Sequence, residues 1–243
     1  MDVFAALAQT FARLFDAADV VALAVLVVCW LGVGMAIEHA PAGFPSTSRL
    51  MDHHRRLWHE QLGCREVRIM DSQLLTLLRS GAAFLASTSL IAIGGVAALI
   101  GQADLLVGIV RDLGADPTAG VPIWEAKLLL LLLILVNAFL KFVWSHRLFG
   151  YSAVLMGAVP PPGDPGVPAA VARAHAVNTT AARSYNRGLR AIYFAIATLA
   201  WFLGPLAWIA ASVLTTLMLV RREFFSRSRR ALLPDLGAGS KAR

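Results

Sequence analysis

The sequence predicts an all-α protein: a multi-pass transmembrane helical bundle with about four spans and juxtamembrane amphipathic helices. Of its 243 residues 58% are hydrophobic and only 15% are charged, and the mean hydropathy is +0.66. This composition is too apolar for an ordinary soluble domain. The apolar residues also concentrate in long runs, and about 20 such residues in a helix cross the ~30 Å hydrocarbon core of a bilayer. We place the spans at residues 18–37, 74–100, 127–149 and 190–220.

Little of the chain remains outside these runs. We therefore expect a single membrane-embedded helical domain over residues 1–243, ending in a basic tail at 221–243. The net charge is +7, but the arginines lie beside apolar spans, where anionic lipid headgroups are nearer partners than nucleic acid. Cys29 and Cys64 form no metal or redox spacing, so we expect no disulfide, metal or cofactor.

The first span follows a short amphipathic segment. Residues 3–15 place apolar side chains at steps of three and four, which is typical of a helix lying in the membrane interface. Asp16 and Asp19 then precede the uninterrupted apolar run from about Val20 to Ile37. A cleavable signal peptide is the alternative, but it would need a basic start, and Arg13 is the only basic residue before the run.

The first connection contains prolines that end the span and serines that can cap a new helix. From Arg49 to Arg68 charges are dense around a partial apolar stripe, which predicts a helix resting on headgroups or on the bundle. His53, His54 and His59 do not share one helix face. Their spacing therefore predicts a solvated basic surface rather than a metal site.

The second span carries small and polar residues at steps of three and four, which fall along one face. They are Gln73, Thr76, Ser80, Ala83 and Ser87. Such a seam lets membrane helices approach closely, so we interpret it as a packing face. As an alternative, Gln73, Thr76 and Ser80 line a polar path with Arg79 at its mouth.

The third span carries a polar pair. Asn137 and Lys141 are four residues apart and share one face of the helix. A lysine facing lipid at depth costs about 2.5–3.5 kcal/mol. We therefore expect Lys141 to face other helices or to extend toward Arg147 at the interface.

The last apolar run is too long for one simple span. As a continuous helix its roughly 32 residues would measure about 48 Å. Gly204 and Pro205 lie within it and predict a break. We expect a single proline-kinked span, and the alternative is a hairpin of two helices.

The distribution of arginine predicts the orientation. The first and third connections are rich in arginine and the second is acidic, so the positive-inside rule places the first and third in the cytoplasm of an inner (plasma) membrane protein. With four spans both termini would then lie outside. The tail contradicts this, because it is also rich in arginine. A hairpin at Gly204 would remove the conflict.

Several short segments, in their order and spacing, resemble the domain of unknown function 599 family of multi-pass membrane proteins from bacteria and plants. The segments are Phe84 to Thr88, Trp124 to Lys127, Asn186 to Arg190 with Tyr193 and Phe194, Trp201 with Phe202, and Arg222 to Phe224. The resemblance covers most of the chain from Leu50 to Arg227. It implies the helical membrane class and no activity, substrate or catalytic residue.

Three functional hypotheses follow. The first is a non-enzymatic membrane module that assembles with itself or with a partner through the seam of the second span. The second is a channel or transporter for a small solute, such as an anion, using Lys141 and the break at Gly204 and Pro205. The third is a membrane-embedded enzyme, which we do not favour because the sequence contains no recognisable catalytic motif. It would gain support if Glu38, His39 and His146 met at one membrane surface.

Overall fold

The computed structural model describes residues 15–102, 108 and 120–233, and within them it is helical with no strand. The helices are α1 (Ala17–Glu38), α2 (Thr47–Gly63), α3 (Ile69–Ile100), α4 (Val121–Gly157), α5 (Val167–Leu199), a 3₁₀ helix (Ala200–Leu203), α6 (Pro205–Phe224) and α7 (Arg227–Leu232). The all-α class is confirmed. The amphipathic segment predicted at 3–15 lies outside the described residues except for Phe15.

Side chains fix where several helices begin. The carboxylate of Asp16 accepts a hydrogen bond from the backbone N–H of Asp19 at 2.8 Å and caps α1. Ser46 and Ser226 cap α2 and α7 in the same way. Prolines occupy the first turns of α4, α5 and α6, where their missing N–H leaves no hydrogen bond unmade.

By length and composition, four helical segments of the described part of the chain can cross a membrane. They are Ala17–Glu38, Ile69–Ile100, Val121–Gly157 and Pro205–Leu232. Large apolar side chains point outward from them, for example Val28, Leu133 and Leu214. Lipid is the solvent that suits such surfaces. The protein is therefore a multi-pass membrane protein.

The bundle has two chemically distinct ends. At the arginine-rich end, Thr47 donates a hydrogen bond to the carbonyl of Glu223 at 3.0 Å, and Arg229 donates to the carbonyl of Pro45 at 2.8 Å. At the opposite, aromatic end, the Trp201 indole donates to Asp19 at 2.6 Å. The first connection, the third connection and the start of the tail all lie at the arginine-rich end.

The last apolar run forms a hairpin, and our expectation of one kinked span over 190–220 is wrong. After the 3₁₀ helix, Gly204 adopts φ +116° and α6 returns along α1 and α5. Arg222 donates a hydrogen bond to the Tyr193 hydroxyl at 2.9 Å. In one straight helix these residues would be about 44 Å apart. The chain therefore turns back at the aromatic end.

Helices α4 and α5 extend well beyond a bilayer. Their 37 and 33 residues correspond to about 55 and 50 Å, against a ~30 Å core. At the arginine-rich end they pack with α2 and the start of α3 around a second apolar cluster, which includes Leu62, Leu75 and Phe149. The arginine-rich end thus has a packed apolar cluster of its own.

A close approach holds α4 and α5 together where the two apolar clusters meet. A Cβ atom on Gly188 would lie 2.8 Å from the ring of Phe142, closer than van der Waals contact allows. Only glycine at this position lets the fully buried Phe142 ring lie against the α5 backbone. This contact positions Arg187 and Arg190, which flank Gly188, against α1.

Candidate functional site

A crevice with a cationic lining lies at the arginine-rich end. Helices α1 and α4 both pack on α5, and a cavity of about 430 Å³ lies between them. It is lined by Trp30, Leu31, Gly34, Met35, Glu38 and His39 from α1, Asn137 and Lys141 from α4, and Arg187 and Arg190 from α5. We call it the cationic crevice.

Glu38 neutralises part of the positive charge. Its carboxylate accepts hydrogen bonds from Arg187, including one from Nε at 2.9 Å, and from Arg190. Arg190 is only 6% exposed. Its side chain passes beside Gly34, and a Cβ atom built on that glycine would lie 3.8 Å from the Arg190 Nε. The carboxylate is thus shared between two guanidinium groups, and the three residues fasten the end of α1 to α5.

Lys141 and Asn137 line the crevice opposite α1. The hydroxyl of Ser184 donates to the backbone carbonyl of Lys141 at 2.9 Å, which fixes the backbone at this position. Among the described residues, neither the Lys141 ammonium nor the Asn137 amide makes a side-chain hydrogen bond or ion pair. Three cations therefore line the crevice against one carboxylate.

The crevice lies at the depth of a membrane interface. Helix α1 ends at Glu38, level with the arginines. On α4, Trp144 and Arg147 follow Lys141 by one to two turns, and Arg147 donates to the Tyr151 hydroxyl at 2.8 Å. Tryptophan, tyrosine and arginine at a helix's exit from an apolar run mark the headgroup region. Lys141 thus lies just on the hydrocarbon side of that belt.

The predicted residues of the second span do not join the crevice. Gln73, Thr76, Arg79, Ser80 and Ser87 do not belong to the buried face of the bundle. The buried face of α3 is a different one, formed by Asp71, Leu75, Ala82, Ala86, Ser89 and Val96.

Thr76 of that seam and the neighbouring Arg79 have partners within the described chain. Thr76 donates to the carbonyl of Ser72 in its own helix at 2.9 Å. Arg79 contacts His146 on α4, with 3.4 Å between its Nε and the imidazole Nε2. Thr76 and Arg79 also line a separate cavity of about 210 Å³ beside Asp71. The seam of α3 is thus an outer face rather than an internal contact of the described chain.

Gly204 and Pro205 lie at the opposite end of the bundle from Lys141. The Lys127 ammonium donates to the carbonyl of Trp201 at 3.1 Å, which places the start of α4 beside the hairpin turn. Lys127 and Lys141 are about 21 Å apart along α4. Lys141 and the helix break are therefore separate features at opposite ends of the bundle.

The full environment of Lys127 could not be predicted from the sequence. This lysine is 8% exposed, and its Nζ lies 5.1 Å from the ring centroid of Trp124 and 5.3 Å from that of Trp201. Stacking of Trp201 on Trp208, with centroids 4.1 Å apart, completes this cage. Trp124 precedes Lys127 by three residues, so their contact could be predicted from the sequence. Trp201 is distant in sequence, and only the hairpin places it beside Lys127.

A second polar cluster lies outside the membrane, where α2 packs on α5. His59 is fully buried, with its Nδ1 2.8 Å from the carbonyl of Arg55 and its ring centroid 5.5 Å from that of His175. Burial lowers the pKa of His59, and it lowers the pKa of His175 as well. Within the described part of the chain, no group of three or more His, Cys, Asp or Glu is arranged to hold a metal.

The residues whose meeting would favour an enzyme are in separate contacts. Glu38 binds the two arginines, the His39 ring contacts the carbonyl of Met35, and His146 contacts Arg79. His39 lines the crevice, whereas His146 does not. This arrangement does not place an acid and a base on one reacting atom.

Comparison with known sequences identifies the family and no relative of known activity. No curated protein and no solved structure matches the chain. The family described as "Protein of unknown function, DUF599" matches residues 21–228, which includes every residue that lines the cationic crevice. The chain therefore belongs to the DUF599 family of proteins of unknown function, as its sequence motifs indicated.

Proposed function

We propose that this protein is a non-enzymatic membrane module that binds an anionic group in the cationic crevice. The observation that supports this function is the convergence of Lys141, Arg187 and Arg190 on one cavity whose lining contains a single carboxylate. With Glu38 already bonded to both arginines, the Lys141 ammonium is the cation of this lining left for a ligand.

An unpaired ammonium at this depth favours an anion. Charges attract far more strongly next to hydrocarbon than in bulk water, because the effective dielectric constant is lower. An intramembrane cation without a protein partner is expensive and by default indicates a functional site. A ligand anion would supply the missing partner to Lys141 and add a second acceptor for Arg187.

The shape of the crevice supports binding rather than conduction. Its deepest residue on α1 is Trp30, eight residues below Glu38, or about 12 Å along the helix. That is less than half of a ~30 Å core. At the other end of the bundle, Trp201 and Trp208 stack and Lys127 is bonded between the helices. This supports a recognition site over the channel or transporter that we also considered.

We place the protein in the plasma (inner) membrane with its arginine-rich end in the cytoplasm. The hairpin brings the start of the tail to the same end as the first and third connections. All three arginine-rich segments can then obey the positive-inside rule together. The crevice would consequently open in the cytoplasmic leaflet.

Anion binding is tested by thermal unfolding of the full chain in a mild, uncharged detergent. Sulfate or inorganic phosphate should raise the melting temperature more than chloride at equal ionic strength, because a ligand of the folded state stabilises it by mass action. Lys141→Met should abolish this difference. Arg79→Met, which removes a cation at the same end on α3, should retain it. An equal response of wild type and Lys141→Met would contradict the proposal.

A second function, assembly with another copy, is favoured by the outward-facing seam of α3. Ser80 and Ser87 are exposed beside Leu77 and Phe84, and small polar residues on a membrane face permit close helix approach. In a chain with Cys29→Ala and Cys64→Ala, Ser80→Cys should form disulfide-linked dimers in membranes. The control Val28→Cys lies on the exposed face of α1 and should not. Crosslinking that is equally weak at both positions would exclude this interface.

A further inference from the structure

We infer that the occupant of the cationic crevice is an anionic phospholipid, with its phosphate at Lys141 and an acyl chain along α1. This inference rests on the proposed anion-binding function and specifies the ligand. It is carried by three properties of the crevice: where it opens, the order of its chemistry with depth, and its residual charge.

The crevice opens sideways into the bilayer. Two of its lining residues on α1, Leu31 and Met35, are 58% and 61% exposed on a helix that spans the membrane. On α4, Leu140 lies next to Lys141 in sequence and is also exposed, although it does not line the crevice. A ligand can thus enter from the lipid phase, and an acyl chain can lie against Leu31 while its headgroup stays in the crevice.

The groups along α4 follow the order of groups in a phospholipid. From the interface inward they are Trp144 with Arg147, then Lys141, then Asn137, then the uninterrupted leucine and isoleucine face. Lys141 and Asn137 are four residues, or about 6 Å, apart along the helix. A phospholipid presents its phosphate first, its ester carbonyls next and its chains last. An ammonium suits the phosphate, and amide N–H groups suit an ester carbonyl.

Within the described chain both polar groups lack a partner, and the proposed ligand satisfies both. A free inorganic anion at Lys141 would leave the Asn137 amide unpaired next to hydrocarbon, where an unmade hydrogen bond is costly. A diacyl lipid whose phosphate binds Lys141 carries its ester groups to the depth of Asn137. This pairing distinguishes a lipid from a soluble anion.

The residual charge selects the headgroup class. Three cations and the Glu38 carboxylate leave two positive charges in the crevice. A phosphodiester with a neutral headgroup, as in phosphatidylglycerol, supplies one negative charge. A choline headgroup would place its own ammonium beside Arg187, and Glu38 cannot compensate because both arginines already bind it. Basic pockets between membrane helices are known sites for anionic headgroups.

The inference is tested by native mass spectrometry of the full chain released from nanodiscs of equal parts phosphatidylglycerol and phosphatidylcholine. Wild type should retain phosphatidylglycerol selectively. Lys141→Met and Asn137→Leu should each reduce the retained fraction by about tenfold, the scale of a charge-assisted or desolvated hydrogen bond. Lys141→Arg, which keeps the charge, and Arg79→Met should retain it. The melting temperature of each variant shows that it is folded.

The variants separate failure of this inference from failure of the proposed function. If sulfate still stabilises the wild type through Lys141 but phosphatidylglycerol retention does not depend on Lys141 or Asn137, the lipid assignment is wrong and anion binding stands. If neither the stabilisation by sulfate nor the retention of phosphatidylglycerol depends on Lys141, both proposals are wrong. Equal retention of phosphatidylcholine would also overturn the assignment.

Discussion

Glu38 sets how much positive charge the crevice keeps. It is the last residue of α1, and without it Arg190, which is almost buried, would lose its carboxylate partner in a poorly hydrated place. With it, the two arginines are held in position and only part of their charge is cancelled. The same carboxylate therefore stabilises the α1–α5 contact and leaves Lys141 for a ligand.

His59 provides a residue-scale prediction of pH dependence outside the membrane. Burial lowers the pKa of this imidazole below its ordinary value, and the nearby His175 and Arg55 lower it further, against opposing effects of the Arg55 carbonyl and Asp71. The folded state thus binds fewer protons than the unfolded state near and below about pH 6.5. The free energy of unfolding should then decrease as the pH falls through this range.

The measurement is the melting temperature in detergent between about pH 7.5 and 5.5, a range that brackets the ordinary histidine pKa. We expect it to fall on acidification, by about 2–4 °C for each kcal/mol lost in a chain of this size. His59→Asn removes the titration of this imidazole and should reduce the slope, and the remaining slope is expected from His175, whose pKa burial also lowers. His53→Asn, at a more exposed position of the same helix, should leave the slope as in wild type. If His59→Asn has the same slope as wild type, the pH dependence of the melting temperature comes from groups other than His59.

For individual residues, the sequence predicted which side chains share a helix face but not which side chains of other helices they contact. The four-residue spacing of Asn137 and Lys141 predicted one polar face, and the structure places both in one crevice. Nothing local indicated Glu38, Arg187 and Arg190 as their neighbours, since these residues come from helices far away in sequence. Likewise, Lys127 looked like a helix-end residue, and its burial depends on Trp201, whose position is set by the hairpin.

For the helices, the hairpin also could not be predicted from the local sequence. The length of the last run showed that something had to interrupt a helix of about 48 Å, and Gly204 with Pro205 marked where. A kink and a reversal begin with the same two residues, so the local sequence could not choose between them. The reversal is stabilised by packing of α6 against α1 and α5 and by stacking of Trp208 on Trp201.

Gly204 itself allows an element-scale test. Its φ of +116° and ψ of 166° belong to a region that only glycine occupies readily, and open space surrounds the place that a Cβ atom would take, so the strain from a side chain would be purely conformational. Gly204→Ala should cost about 1–3 kcal/mol and lower the melting temperature. Gly94→Ala, at a helical site with open space, should be neutral or slightly stabilising. Equal effects of the two substitutions would argue against a strained turn.

The seam of α3 was predicted as a helix face, but its contacts were not. Its three- and four-residue spacing predicted a face, and those side chains do share one. The spacing could not tell whether that face meets another helix of the same chain, lipid or a second copy. In the structure α3 packs on α4 through its other face, which includes Ala82 and Ala86.

At the scale of the whole molecule, the hairpin determines the distribution of charge across the membrane. Among the described residues, five helices (α1, α3, α4, α5 and α6) run between the two ends of the bundle, whereas four segments are long and apolar enough to span a membrane, because the end of α5 and α6 share the last apolar run. An odd number of passes places the start of α1 and the end of α6 at opposite ends of the bundle. The arginines of the tail then join those of the first and third connections.

Cysteine labelling in cells tests this arrangement. The native Cys64 is exposed at the arginine-rich end, so in a Cys29→Ala background a membrane-impermeant maleimide should label it in inverted vesicles and not in intact spheroplasts. In a chain with both native cysteines replaced, Arg230→Cys should behave like Cys64, because Leu232 in the same short helix contacts His54 of α2. Gln102→Cys, beyond the end of α3, should show the opposite pattern. If Arg230→Cys and Cys64 were labelled from opposite sides of the membrane, the last apolar run would be a single span. The three arginine-rich segments would then not share one side, and the proposed orientation of the crevice would be wrong.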